Sequence, residues 1–67
     1  MKLYINANLQ EFPESVSTVA QLLEYLHIPA EGTGVGINNR VIFASDRKAT
    51  PLHEGDRVTI ISATYGG

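Results

Sequence analysis

Cysteine is absent from this chain of 67 residues, which excludes a disulfide scaffold, a cysteine-ligated metal and a thiol nucleophile together. A reducing compartment fits that absence. Basic residues are few: Lys2, Arg40, Arg47, Lys48 and Arg57 are scattered through a chain of net charge −2. No concentrated positive field is available for phosphate backbones, so nucleic acid is not an expected partner. Long apolar runs are missing too. Met1-Lys2-Leu3-Tyr4-Ile5-Asn6 turns polar too early for a signal peptide, and nothing approaches the ~20 apolar residues of a membrane span. The expected location is the cytoplasm, with no membrane partner. With 43% hydrophobic and 18% charged residues the chain reads as one soluble globular domain. At this size a single thin core supplies roughly 3 to 5 kcal/mol of stability, and a deep private active site is not expected.

What is present is a series of short elements. Leu3 and Ile5 alternate with Lys2, Tyr4 and Asn6, the period-two pattern of a half-buried strand, and Asn6-Ala7-Asn8 suits a tight reversal into a second strand, Leu9 to Phe12, stopped by Pro13. Thr18-Val19-Ala20-Gln21 has the spacing of a capping box, and Val19, Leu22, Leu23 and Leu26 then form one apolar helical stripe. Pro29 sets the expected helix end near His27-Ile28. Gly32-Thr33-Gly34 and Gly36 make a flexible approach to a strand at Val35-Gly36-Ile37. Asn38-Asn39 turns it into Arg40-Val41-Ile42-Phe43. Ala44 to Ala49 reads either as one helical turn capped by Ser45 or as loop, and Thr50-Pro51-Leu52 returns an apolar residue to the core. After a turn at Glu54-Gly55-Asp56, the β-branched run Val58 to Ala63 reads as a central strand. One helix with one sheet to cover implies an α+β fold of the β-grasp (ubiquitin-like) type, a mixed sheet of four to five strands packed against one main helix. The expected division is a single domain over 1–63 and a flexible tail over 64–67.

Tyr65-Gly66-Gly67 closes the sequence. Two glycines lack β-carbons and can be threaded through a channel too narrow for other residues, and four extended residues reach about 13 to 14 Å. The glycines read equally as disordered filler. An ionised carboxylate is a poor electrophile, so chemistry on Gly67 must begin with activation such as adenylation. No segment of the chain binds ATP, so that machinery would be external. Gly32-Thr33-Gly34-Val35-Gly36 is not a dinucleotide loop: it has Ile37 where a spaced third glycine is needed, and helix and strand flank it in the wrong order. His27 and His53 read as a helix-end and a turn residue rather than members of a triad or metal site. If Val58 and Ile60 face the helix, then Thr59, Ile61 and Ala63 share the opposite face, with Ile42 or Tyr4 as candidate neighbours. That patch is either a docking surface or the ordinary exposure of single apolar residues.

Ile5-Asn6, Thr18-Val19-Ala20-Gln21-Leu22-Leu23, Val35-Gly36-Ile37-Asn38-Asn39, Thr50-Pro51-Leu52-His53-Glu54-Gly55-Asp56-Arg57-Val58 and the final Gly66-Gly67 together resemble the ThiS-type sulfur carriers of thiamine biosynthesis, members of the ThiS/MoaD group, over nearly the whole chain. The resemblance implies a carrier that is not itself an enzyme and binds no cofactor. A ThiF-type adenylyltransferase would activate Gly67 with ATP and Mg. Sulfur from a donor such as a cysteine desulfurase would convert the terminus to a thiocarboxylate, and the thiazole synthase ThiG would consume that sulfur. Gly66 and Tyr65 would thread into the partner. Tyr65 stands where relatives often have a small residue, and Asn39 where a glycine is common. The alternatives are a carrier for molybdopterin synthesis or another sulfur route, a ubiquitin-like modifier joined to lysines, and an interaction domain with an idle tail.

Overall fold

The computed structural model describes residues 1–62. Strands β1 (Lys2–Ile5) and β2 (Asn8–Glu11) form a hairpin, helix α1 (Val19–Tyr25) crosses over, β3 (Thr33–Ile37) and β4 (Arg40–Ile42) form a second hairpin, and β5 (Arg57–Ser62) completes one sheet. The strand order is β2-β1-β5-β3-β4. β5 runs parallel to β1 and antiparallel to β3, so the expected β-grasp sheet forms with all five strands and with β5 at its centre.

Hairpin chemistry accounts for the two reversals. Asn6 and Ala7 (φ 49° and 72°) and Asn38 and Asn39 (φ 51° and 69°) hold paired left-handed conformations, the requirement of a two-residue turn that matches strand twist. Asparagine tolerates that region and alanine does not. β2 begins and ends one residue earlier than expected, because Phe12 leaves the strand to bury its ring edge-to-face against Tyr25, centroids 5.6 Å apart. At the open end of this hairpin the Met1 ammonium donates to Glu11 at 2.9 Å and to the Phe12 carbonyl at 2.8 Å. Its hydrogen bond and charge hold the Glu11 carboxyl below the usual carboxylate range.

The capping box forms as expected. Thr18 Oγ1 accepts from the Gln21 backbone N–H, and the Gln21 side chain accepts from the N–H groups of Ser17 and Thr18. The helix stops earlier than Pro29 alone requires. His27 sits at φ 57°, its N–H bonds to the Glu24 carbonyl and that of Ile28 to Leu23, a Schellman closure with histidine at the left-handed position. Ser45 does not cap the following turn: a 3₁₀ turn at Ala44–Asp46 begins after Phe43 without a side-chain cap. β3 starts two residues before Val35, since Thr33 already pairs with Ser62, and β4 ends at Ile42 rather than Phe43.

Between sheet and helix lies one core of Leu3, Ile5, Phe12, Val16, Val19, Leu22, Leu23, Val35, Ile37, Leu52 and Val58. Arg47, one of the five scattered basic residues, is buried at 6% exposure. Its guanidinium donates to the carbonyls of Ala30, at 2.9 Å, and Thr33, while its own carbonyl accepts from the Ala20 N–H. It thereby ties the loop before β3 to the start of α1.

Two stability outcomes follow from these contacts. Leu22 is fully buried, and Leu22→Ala should cost about 2–5 kcal/mol, comparable to the whole stability of a domain this small, so the variant should be largely unfolded by circular dichroism at 25 °C. Ala7→Gly removes a left-handed alanine that makes no core contact and should raise the midpoint of thermal unfolding by several degrees, a gain of about 1 kcal/mol.

Candidate functional site

β5 alternates with period two. Val58 is buried against the core and Ile60 and Ser62 are half-buried on that side, while Arg57, Thr59 and Ile61 point to the opposite face. Thr59 and Ile61 therefore share the outer face of the sheet, as the sequence pattern predicts, with Ile61 68% exposed. Tyr4 joins them, with the Arg57 guanidinium 5.1 Å from its ring centroid across the parallel β1–β5 pair. Ile42 does not. The register of β4 on β3 sets Ile42 opposite core residue Val35 and turns it inward, and Val41, 70% exposed, takes the outer position instead.

Gly34 faces Ile61, and Gly36 faces both Thr59 and Val41. Their spacing of two puts both on the outer face, where β3 consequently carries no side chain. An open groove of about 330 Å³ results, with Gly34, Gly36, Val41, Thr59 and Ile61 among its walls. A β-carbon at Gly34 would come no closer than 3.8 Å to the Ile61 carbonyl oxygen, and one at Gly36 no closer than 3.4 Å to that of Arg40. Neither glycine has a positive φ. The backbone would therefore accept alanine at Gly34, so what glycine contributes there is the open surface. From the sequence alone Gly34 reads as part of a flexible approach, although its spacing of two from Gly36 matches the period of the strand that contains both.

An asparagine braces the start of β5. Asn38 accepts from the Arg57 N–H at 3.0 Å and donates to Asp56 at 3.1 Å, and Asp56 also accepts from the His53 N–H at 2.8 Å. Asp56 thus braces the turn before the strand as well as occupying it. The ring of His53 lies 3.8 Å from the same carboxylate and is largely exposed, while His27 serves the close of α1. No cluster of three or more histidine, aspartate or glutamate side chains that could hold a metal ion occurs among the described residues.

Ala63, Tyr65, Gly66 and Gly67 lie outside the described residues, as does the expected boundary at 63/64. The strand that leads to them is described to Ser62, which pairs with Thr33. No helix among the described residues is long and apolar enough to cross a membrane.

A crystal structure of the thiamine biosynthesis protein ThiS from Geobacter metallireducens matches the fold with a TM-score of 0.84 at 29% identity, covering 100% of both chains. A solution structure of a thiamine biosynthesis protein from the same organism gives 0.82 at 29% identity, covering 100% of this chain and 88% of that one. A search of curated protein sequences finds no match. The model of the ThiS family matches residues 3–67, from the first strand to the closing glycine pair, and the chain belongs to that family.

Proposed function

We propose that this chain is a sulfur carrier for thiamine biosynthesis, with the carboxylate of Gly67 as the group that is loaded. The observation that carries this reading is the family match, which runs through the final residue, on a chain without a thiol. Cargo sulfur then needs an acyl carbon to hold it. A carboxylate does not exchange oxygen for sulfur unaided, because the oxide leaving group is too basic. A ThiF-type enzyme would therefore use ATP and Mg to join Gly67 to AMP with loss of pyrophosphate. The terminal sulfur of a persulfide passed from a cysteine desulfurase would add to the carbonyl and expel AMP, and a thiol reductant would then cleave the resulting acyl disulfide, leaving a thiocarboxylate for ThiG. The catalytic groups for these steps belong to the partners, and the chain itself is a carrier rather than an enzyme.

Central placement of β5 supports the delivery role. A strand paired on both sides gives the residues after Ser62 a rigid base, and Gly66 and Tyr65 would enter the partner beside Gly67. The outer-face groove beside β5 is the proposed dock. Its apolar walls at Ile61 and Val41, open over Gly34 and Gly36, suit an apolar side chain of the activating enzyme, with Thr59 continuing the same surface.

Intact mass measurement tests the loading step. After incubation with a ThiF-type enzyme, ATP, Mg and a sulfur donor, the C-terminal peptide of a chain ending at Gly67 should gain about 16 Da. A chain lacking Gly67 should fold and gain nothing. An adduct on a lysine would instead indicate a protein modifier, and an unchanged mass an idle tail. Docking has its own test. Gly34→Val fills the groove with a β-branched residue that suits a strand, so its thermal midpoint should hold or rise while its KM for adenylation increases about tenfold or more.

A further inference from the structure

The parallel pairing of β1 with β5 ends at Ile5 opposite Val58, and the next main-chain donor, the Asn6 N–H, bonds to the Val58 carbonyl at 2.9 Å. Continuing a parallel ladder would require the Asn6 carbonyl to accept from the Ile60 N–H and the N–H two residues further along to donate to the Ile60 carbonyl. Neither main-chain group is placed to do so. Asn6 is left-handed at φ 49°, the chain is already reversing into β2, and the Asn6 carbonyl lies 3.5 Å from the Asn8 side-chain nitrogen.

The Asn6 side chain takes over both roles. Oδ1 accepts from the Ile60 N–H at 2.8 Å, and Nδ2 donates to the Ile60 carbonyl at 3.3 Å. A carboxamide has the same acceptor and donor as a peptide group, so it supplies one more rung after β1 has turned away. Aspartate could supply only the acceptor. On its other edge β5 is paired with β3 at the same level, Val35 opposite Ile60. A cavity of about 230 Å³ has Asn6, Ile60 and Ser62 in its lining, together with His27 and Pro29 from the chain after α1.

We infer that Asn6 is a positioning residue, whose side-chain amide acts as a surrogate peptide unit that holds β5 at Ile60 and so aims the chain after Ser62 into the activating enzyme. The aiming role rests on the carrier reading above. The clamp itself does not.

Asn6→Gly keeps a residue that accepts the left-handed turn and removes the amide, so the variant should fold. Asn6→Asp keeps the acceptor alone. In NMR hydrogen exchange, the Ile60 amide should exchange about five- to tenfold faster in Asn6→Gly, with the Val58 amide unchanged. In pyrophosphate-release assays with a ThiF-type enzyme and ATP–Mg, kcat should fall about five- to tenfold with KM within about twofold, because the docking face is intact. Asn6→Asp should lie between the two in both measurements. An unchanged kcat in Asn6→Gly, or a loss that appears only in KM, overturns the positioning role, and an unchanged Ile60 exchange rate overturns the clamp. If the wild-type chain is not adenylated, the carrier reading fails and the aiming role with it, while Ile60 exchange still decides the clamp.

Discussion

The parallel contact between β1 and β5 is the constraint on which the remainder of the structure depends. Antiparallel neighbours can be joined by two residues, but a parallel pair needs a crossover, and here the crossover carries α1, the second hairpin and the Arg47 segment. Once Ile5 lies beside Val58, the inward residues of both strands share one face with Leu3, and α1 can cover them with Val19, Leu22 and Leu23. The pairing also brings the first residues of the chain beside the strand that precedes its last ones. Tyr4 and Arg57 record this on the outer face, as an aromatic ring and a cation separated by most of the sequence.

A central strand must be held along both edges and at both ends. β5 is held at its first and fourth residues by asparagines that also form the left-handed turns of the two hairpins: Asn38 at Arg57 and Asn6 at Ile60. The economy is physical. Asparagine tolerates a positive φ, and its carboxamide bonds sideways to β5 beside a main-chain N–H that already pairs there, Asn6 with Val58 and Asn38 with Arg57. The same economy appears at Gly34 and Gly36, which contribute ladder bonds to the sheet and leave its outer surface open.

Arg47 is the reverse case, a charge placed where the composition suggests solvent. Its guanidinium donates to the carbonyls of Ala30, in the loop before β3, and of Thr33, the first residue of that strand, while its own carbonyl accepts from the Ala20 N–H of α1. Charge-assisted bonds to carbonyls offset its desolvation and fix a glycine-containing loop that has little side-chain packing of its own. Through Thr33 the anchor reaches the pair that ends β5, Thr33 opposite Ser62.

Local rules in the sequence determined a good deal. Two asparagine-containing turns, the Thr18–Gln21 capping box, the apolar stripe of α1 and the alternation of β5 depend on neighbours within a few residues, so spacing alone reveals them. The family and its closing glycine pair are likewise matters of sequence. Tertiary structure decided the rest. The register of β4 on β3 turned Ile42 inward and Val41 outward, the Schellman closure ended α1 ahead of its proline, and burial made Arg47 an internal anchor. Asn6 has both characters. Its turn is local and visible in Asn6-Ala7, whereas its bond to Ile60 joins residues 54 apart in sequence and exists only because β1 and β5 lie side by side.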